Sequence, residues 1–232
     1  MRPAEQETTI ADMFDRIAGR YDTLNALLSL RQDARWRNVL VSWLPKRQNG
    51  SVLDVACGTG DILTTITRRR PDYRSLVGVD ISENMLTLAR KKLGDSAKLQ
   101  KMSAEELSLP EESFDAVSIG FGLRNVVNKE KALSEFFRVL KPGGVLLILE
   151  FFPMDSGILN RLFQFYFQQI LPLIGGLLSD RMAYRYLPRS VGTFYTPLAL
   201  AGRLRTTGFQ MGRQRSFLFG SCRLVEARKY SI

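Results

Sequence analysis

The sequence predicts an α/β fold, a mostly parallel seven-stranded sheet with helices on both faces and a C-terminal β-hairpin. Three observations predict it. Short apolar runs near 51–56, 75–79, 97–102, 114–119 and 145–151 alternate with helical patterns near 61–69, 83–93 and 128–140, the rhythm of parallel strands joined by helical crossovers. The first run, SVLDV, turns through ACGTGD straight into a helical pattern, as a strand, tight loop and helix do. Two last runs, near 209–218 and 222–228, lie close enough together to form the closing hairpin.

The elements follow in order. The start, MRPAEQETTIADMF, is polar and reads as a loose end without the apolar core or cleavage site of a secretory signal. Apolar residues at helical spacing then predict helices over 21–30 (Leu24, Leu27, Leu28) and 31–44 (Trp36, Val39, Leu40, Trp43), stopped by Pro45, Asn49 and Gly50. Residues 1–50 thus form N-terminal helices capping the active site, and 51–155 the α/β core. Residues 158–178 are strongly apolar, but Arg161, Gln164, Gln168, Gln169 and Pro172 interrupt them. A membrane span needs about 20 mostly apolar residues, so 156–200 reads as an inserted helical cap. Residues 201–232 supply a C-terminal helix and the hairpin.

A chain of 232 residues suits one domain around one core. Cys57 and Cys222 are too isolated for a disulfide framework or a metal site, which fits a reducing cytoplasm and no metal. Nine of the ten excess positive charges fall after residue 160. Such asymmetry points to an anionic partner, a nucleic acid or an anionic membrane surface, unless it is only a solvated basic face.

The loop after the first strand decides the ligand class. A dinucleotide fingerprint requires GxGxxG, but Gly58 and Gly60 are followed by Leu63, and the lysine of a phosphate-binding P-loop is absent. What remains is Asp54 with Gly58 and Gly60, which suits a small ligand carrying an ammonium and a carboxylate. Asp80, 26 residues after Asp54, ends the second strand, where an acid can accept both ribose hydroxyls of an adenosine. Met102, Ser103 and Ala104 end the third strand, where a base can lie against the backbone.

This series of glycine loop, Asp80, Ser103 to Glu105 and then FDAV resembles the class I S-adenosylmethionine-dependent methyltransferases from about Ser51 to Glu150. The resemblance implies a single Rossmann-like class I methyltransferase domain with S-adenosylmethionine as cofactor. It also implies a cofactor set of Asp54, Ala56, Gly58, Thr59, Gly60, Asp80, Ile81, Ser103, Ala104 and Gly120.

"YDTLNALLSLRQDARWR" (21–37), "FGLRNVVNKEKALSEFFRVLKPGGVLLILEF" (121–151) and "YRYLPRS" (184–190) resemble, more narrowly, the ubiquinone and menaquinone biosynthesis C-methyltransferases over nearly the whole chain. That similarity implies a prenylated quinol substrate, demethylmenaquinol or a ubiquinone-pathway benzoquinol, with Tyr21, Arg124 and Asn125 around its ring. The family usually has Gly, His and Arg where this chain has Arg31, Asp33 and Ala34, and often Ser at Gly120; the chain contains no histidine.

Methylating a ring carbon requires a nucleophilic carbon, which a quinol supplies when it loses a phenolic proton. Arg124 suits a developing phenolate, and Tyr21 or Asp22 a proton relay, unless Arg124 sits in a structural ion pair with an acid such as Glu150 and Tyr21 only packs. The apolar residues of 158–178 can line a channel for the tail, pack as core or form a homodimer interface. The basic last third would meet the inner face of the cell membrane, making the enzyme cytoplasmic and peripheral. Other readings are a nucleic-acid or other small-molecule methyltransferase, or a non-catalytic cofactor-binding assembly protein. No DPPY-like segment follows the fourth strand and no Pro-Cys nucleophile is present, so nucleic acid is not the expected partner.

Overall fold

The computed structural model describes residues 3–29, 31–153 and 181–230. Its elements are α1 (Pro3–Ile17), α2 (Tyr21–Leu28), α3 (Asp33–Ser42), β1 (Gly50–Val55), α4 (Asp61–Arg69), β2 (Tyr73–Asp80), α5 (Glu83–Leu93) and β3 (Lys98–Lys101). They continue with β4 (Phe114–Gly120), α6 (Lys129–Val139), β5 (Leu140–Phe151), α7 (Arg181–Gly192), α8 (Pro197–Thr207), β6 (Gln210–Phe217) and β7 (Cys222–Arg228). The strands form one seven-stranded sheet in the order β3-β2-β1-β4-β5-β7-β6. The first five pair in parallel, and β7 runs antiparallel to both β5 and β6. The segment 158–178, read as a cap, lies outside the described residues.

Strand periodicity builds two cores. Side chains alternate across a strand, so Val52 faces one side of β1 and Leu53 and Val55 the other. On the first side Trp36 and Leu40 of α3, Leu63 and Ile66 of α4 and Leu86 of α5 cover the sheet. On the second, Leu133 and Phe136 of α6 and Leu200 and Leu204 of α8 do so. Leu53, Leu63, Ile66, Leu133 and Phe136 are fully buried, each worth roughly 1.5–3 kcal/mol of hydrophobic stabilisation. With both faces covered, the strands read as near-continuous apolar runs, which is what made them visible in the sequence. No described helix is long and apolar enough to cross a membrane.

The N-terminus differs from its sequence-based expectation. The polar start forms α1, because Ile10, Met13 and Ile17, spaced three and four apart, make a narrow buried stripe. Trp36 anchors the region in an aromatic cluster, with ring centroids 5.7 Å from Phe217, 6.1 Å from Phe151 and 6.2 Å from Phe121. Asp33 is buried and accepts from Ser29 Oγ at 2.8 Å and Arg37 Nη1 at 2.7 Å. Its role in this chain is to bind α3 to the turn before it.

Candidate active site

The sheet order reverses between β1 and β4, and ligands bind at the carboxyl ends of strands on either side of such a switch. Both strand ends leave ordinary backbone geometry there. Ala56 (φ 50°) and Phe121 (φ 58°) hold the left-handed region without being glycine, a strain of order 1–3 kcal/mol each that the packed surroundings enforce. A Cβ on Gly122 would stand 2.6 Å from the Ala56 Cβ, so the two loops touch.

The glycine loop is tied to the second strand. Cys57 N donates to Val79 O at 3.0 Å and Gly58 N to Asp80 Oδ2 at 2.8 Å, while Asp80 Oδ1 accepts from Ser82 N at 2.9 Å. The Ile81 backbone also acts on Asp80, and the lone pairs left over suit a ligand hydroxyl. Gly60 (φ 82°) is the N-cap of α4, and a Cβ there would meet Leu93 Cδ1 at 2.8 Å. Gly58 (φ 54°) is open: a Cβ added to it would lie 3.7 Å from Tyr21 Cε1, an ordinary contact.

Asp54 is 1% exposed; its Oδ1 accepts from Ser118 Oγ at 2.6 Å, and its Oδ2 is buried without a partner. Burial pushes the carboxyl up to about 7, the Ser118 hydrogen bond opposes this, and the charges of Asp80 and Asp61 add to it. Asp80 is raised too, again by burial, against the pull of its backbone donors. A buried, half-partnered acid of this kind awaits a cationic donor.

Two clefts meet at this loop. The larger, of about 640 Å³, is lined by Ala56, Gly58, Asp80, Ile81, Ser103, Ala104, Gly120, Tyr21 and Asn125 from the predicted set, together with Ile10, Phe14 and Met102. The smaller, of about 410 Å³, brings in Asp54 and Thr59, with Ala56, Gly58, Gly120 and Tyr21 shared, and adds Asn25, Arg37 and Asp61. Gly60 lines neither and serves as helix cap. Arg124 also lines neither. A Cβ on Gly120 would lie 2.7 Å from Ile62 Cδ1, so a serine there requires Ile62 to move.

α1 roofs the larger cleft. Its Glu7 accepts from Ser103 Oγ, and its Asp15 accepts from Ser82 Oγ and, at 3.1 Å, from Asn84 N. Over the smaller cleft, Asp22 Oδ1 accepts from Thr59 Oγ1 at 2.6 Å and Oδ2 from Lys92 Nζ at 2.6 Å. Lys92 also reaches Asp61 at 2.8 Å, and Arg37 meets Asp61 Oδ2 at 3.2 Å. Asp22 is therefore a latch between α2 and the loop, with both oxygens engaged. Sequence reading passes over Arg37, although it sits in the quoted stretch ending ARWR; nothing local tells its role, because Asp61 reaches it only through the fold.

The third group lies behind Phe121. In the short turn Leu123–Asn125, Arg124 Nη1 donates to Glu150 Oε1 at 2.7 Å and to Phe121 O, and Arg124 N donates to Glu150 Oε2 at 3.2 Å. Arg124 Nε is buried without a partner, as is Asn125 Oδ1, while Asn125 Nδ2 donates to Phe121 O at 3.2 Å. Tyr21 feels both Arg124 and Glu150, and burial raises its phenol, so it stays protonated. Tyr186 on α7 feels the same pair and is raised for the same reason.

The ubiE/COQ5 methyltransferase family model matches residues 2–229. This chain belongs to that family. It is 42% identical, over 98% of its length and 91% of the relative's, to the ubiquinone/menaquinone biosynthesis C-methyltransferase UbiE of Geobacter sulfurreducens. It is also 42% identical to the demethylmenaquinone methyltransferase of Thermus thermophilus, over 90% of this chain and 96% of the relative. In fold it resembles an S-adenosylmethionine-dependent methyltransferase of Thermotoga maritima, described as a possible histamine N-methyltransferase, with a TM-score of 0.67 at 20% identity over 95% and 99% of the two chains.

A UbiE/COQ5-family methyltransferase uses S-adenosylmethionine, and the residues present fit it. The orphaned Asp54 Oδ2 suits its ammonium, the open Gly58 its close approach, and the free lone pairs of Asp80 a ribose.

Proposed function

We propose that this methyltransferase alkylates a ring carbon of a prenylated quinol, demethylmenaquinol or the corresponding benzoquinol of ubiquinone synthesis. The observation that carries the reading is the pair of buried, unpartnered atoms Arg124 Nε and Asn125 Oδ1, one donor and one acceptor on adjacent residues. A ring hydroxyl can use both: it donates to Asn125 Oδ1 before ionising, and the phenolate accepts from Arg124 Nε afterwards. The relatives' names support the substrate class.

In this reading Asp54 holds the cofactor's ammonium, Arg37 its carboxylate and Asp80 its ribose. Ile81, Ser103 and Ala104 border the base. When bound, the cofactor supplies an electrophilic methyl group on a sulfonium. The chain does the rest. Arg124 favours the phenolate, whose charge spreads to the neighbouring carbon and makes it the nucleophile. Tyr21 and Asn125 orient the ring. With Asp22 occupied by Thr59 and Lys92, Tyr21 is the remaining relay toward water, first for the phenolic proton lost on ionisation and then for the proton the ring carbon releases after methylation.

The enzyme docks peripherally on an anionic membrane through its basic last third, where the tailed substrate resides. Incubation with labelled S-adenosylmethionine and short-tailed demethylnaphthoquinol or demethylbenzoquinol, followed by mass spectrometry, tests the function. A ring-methylated product from either supports it; label in neither, with cofactor bound, rejects it.

A further inference from the structure

Glu150, at the carboxyl end of β5, is fully buried, and three donors leave it little freedom. Oε1 accepts from Arg124 Nη1 at 2.7 Å and from Phe151 N at 2.8 Å, and Oε2 accepts from Arg124 N at 3.2 Å. One carboxylate thus grips Arg124 at both its backbone and its side chain. Phe121 O takes Nη1 as well. With Nη1 held, the guanidinium plane cannot rotate, and Nε is left as a buried donor without a partner. A single oxygen on Nη1 would already match the buried charge; the second oxygen holds the Arg124 backbone N. The grip fixes direction.

We propose that Glu150 is a positioning residue for the methyl transfer: by holding Arg124 N and Nη1 it aims Arg124 Nε at the quinol oxygen, and its charge sets how readily that oxygen ionises. This rests on the quinol reading above. A guanidinium neutralised by a carboxylate on its far side presents a dipole to the ring oxygen rather than a full charge. The phenolate is then stabilised by the near end of the pair, and the hydroxyl is made less acidic than a lone arginine would make it.

Other charged or titratable groups face the pair from every described element around it: Tyr21 of α2, Lys129 of α6, Tyr186 and Arg189 of α7, and Cys222 and Arg223 of β7. The phenols of Tyr21 and Tyr186 and the Cys222 thiol are all raised by burial. Raised in this way, they add no charge beside the pair near neutral pH.

The test compares E150Q and E150D with the wild-type protein in the pH dependence of kcat on a short-tailed demethylnaphthoquinol. Removing one charge several ångströms from an ionising hydroxyl moves its midpoint by about one pH unit. E150Q is expected to shift the acid limb down by about one unit and to lower the plateau roughly tenfold, because an amide cannot accept from both Arg124 donors. E150D keeps the charge, so its acid limb stays at the wild-type position while its plateau falls. Cofactor affinity by calorimetry stays unchanged in both. Identical acid limbs in all three folded proteins would overturn the proposal.

Should E150Q not fold, E150D carries the test alone, since it keeps the charge and shortens the reach to Arg124: its acid limb should stay at the wild-type position while its plateau falls, and a wild-type plateau overturns the proposal. If the wild type binds cofactor and methylates no quinol, the substrate reading fails instead, whatever the variants do.

Discussion

Asp54 and Ser118 stand opposite each other in the register of the two central strands, and Ser118 Oγ donates to Asp54 Oδ1 at 2.6 Å. The pairing turns one carboxylate oxygen into a fixed acceptor and leaves the other, buried and unpartnered, facing the glycine loop. The ligand end of this sheet is thus set by strand register as much as by the loop.

The buried Asp54 carboxyl should make both stability and cofactor affinity depend on pH. Burial raises it from 3.8 to about 7, so below about pH 4 it is protonated in folded and unfolded chains alike. Between 4 and 7 only the unfolded chain releases the proton, and the unliganded protein loses up to about 1.4 kcal/mol per pH unit from this group. Above 7 the loss is constant. Cofactor binding runs the opposite way, because an ammonium needs the carboxylate: affinity should climb with pH to about 7 and then level. Calorimetry from pH 5.5 to 8.5 would reveal this, and Asp54→Asn should flatten the curve.

Asp80 has a double duty, so its replacement should show two effects. Asp80→Ala removes the acceptor of Gly58 N and Ser82 N and should lower the melting temperature. It should also weaken S-adenosylmethionine binding by roughly 1.5–3 kcal/mol, typical of a hydrogen bond to a charged group. Unaltered affinity by calorimetry would mean that Asp80 serves the loop alone.

The two loop glycines should separate stability from binding. At Gly60 a Cβ meets Leu93 Cδ1 at 2.8 Å and φ is 82°, so Gly60→Ala should cost well over 1 kcal/mol of stability. At Gly58 there is room in the unliganded protein, and Gly58→Ala should cost about 1 kcal/mol of strain but a larger share of cofactor affinity. Thermal melts with and without cofactor distinguish the two.

Arg31 holds φ 59° without being glycine and is exposed. Arg31→Gly removes a left-handed strain of roughly 1–2 kcal/mol, partly offset by the greater freedom of glycine when unfolded. Chemical denaturation should show a gain of up to about 1 kcal/mol. A loss would imply that the arginine side chain holds α2 and α3 together.

The basic last third should confer salt-sensitive membrane binding. Each basic group near an anionic surface contributes about 1 kcal/mol and is screened by salt. Sedimentation with anionic vesicles should be strong at low ionic strength and largely lost near about 0.5 M salt. Replacing Arg181, Arg185 and Arg189 with Gln should weaken it while sparing turnover of a short-tailed quinol. Equal binding to neutral vesicles would assign the charge another purpose.

What the sequence by itself determined was local or periodic. The alternation of strands and helices, the glycine turn after Asp54 and the acid ending β2 were legible because each is written in a few consecutive residues whose spacing matches strand, turn or helix geometry. α1 escaped because Ile10, Met13 and Ile17 are sparse among polar residues, and it is packing against distant elements, α5 above all, that buries their stripe. What only the tertiary structure decided was which polar groups pair. Asp22 meets Thr59 and Lys92 and Arg37 meets Asp61, while Arg124 takes Glu150, an acid the sequence offered only as one possible partner. Such pairs carry no period and no turn signature. They exist because strand register and helix packing carry distant residues to the same end of the sheet, where burial makes an unmatched charge too costly to leave alone.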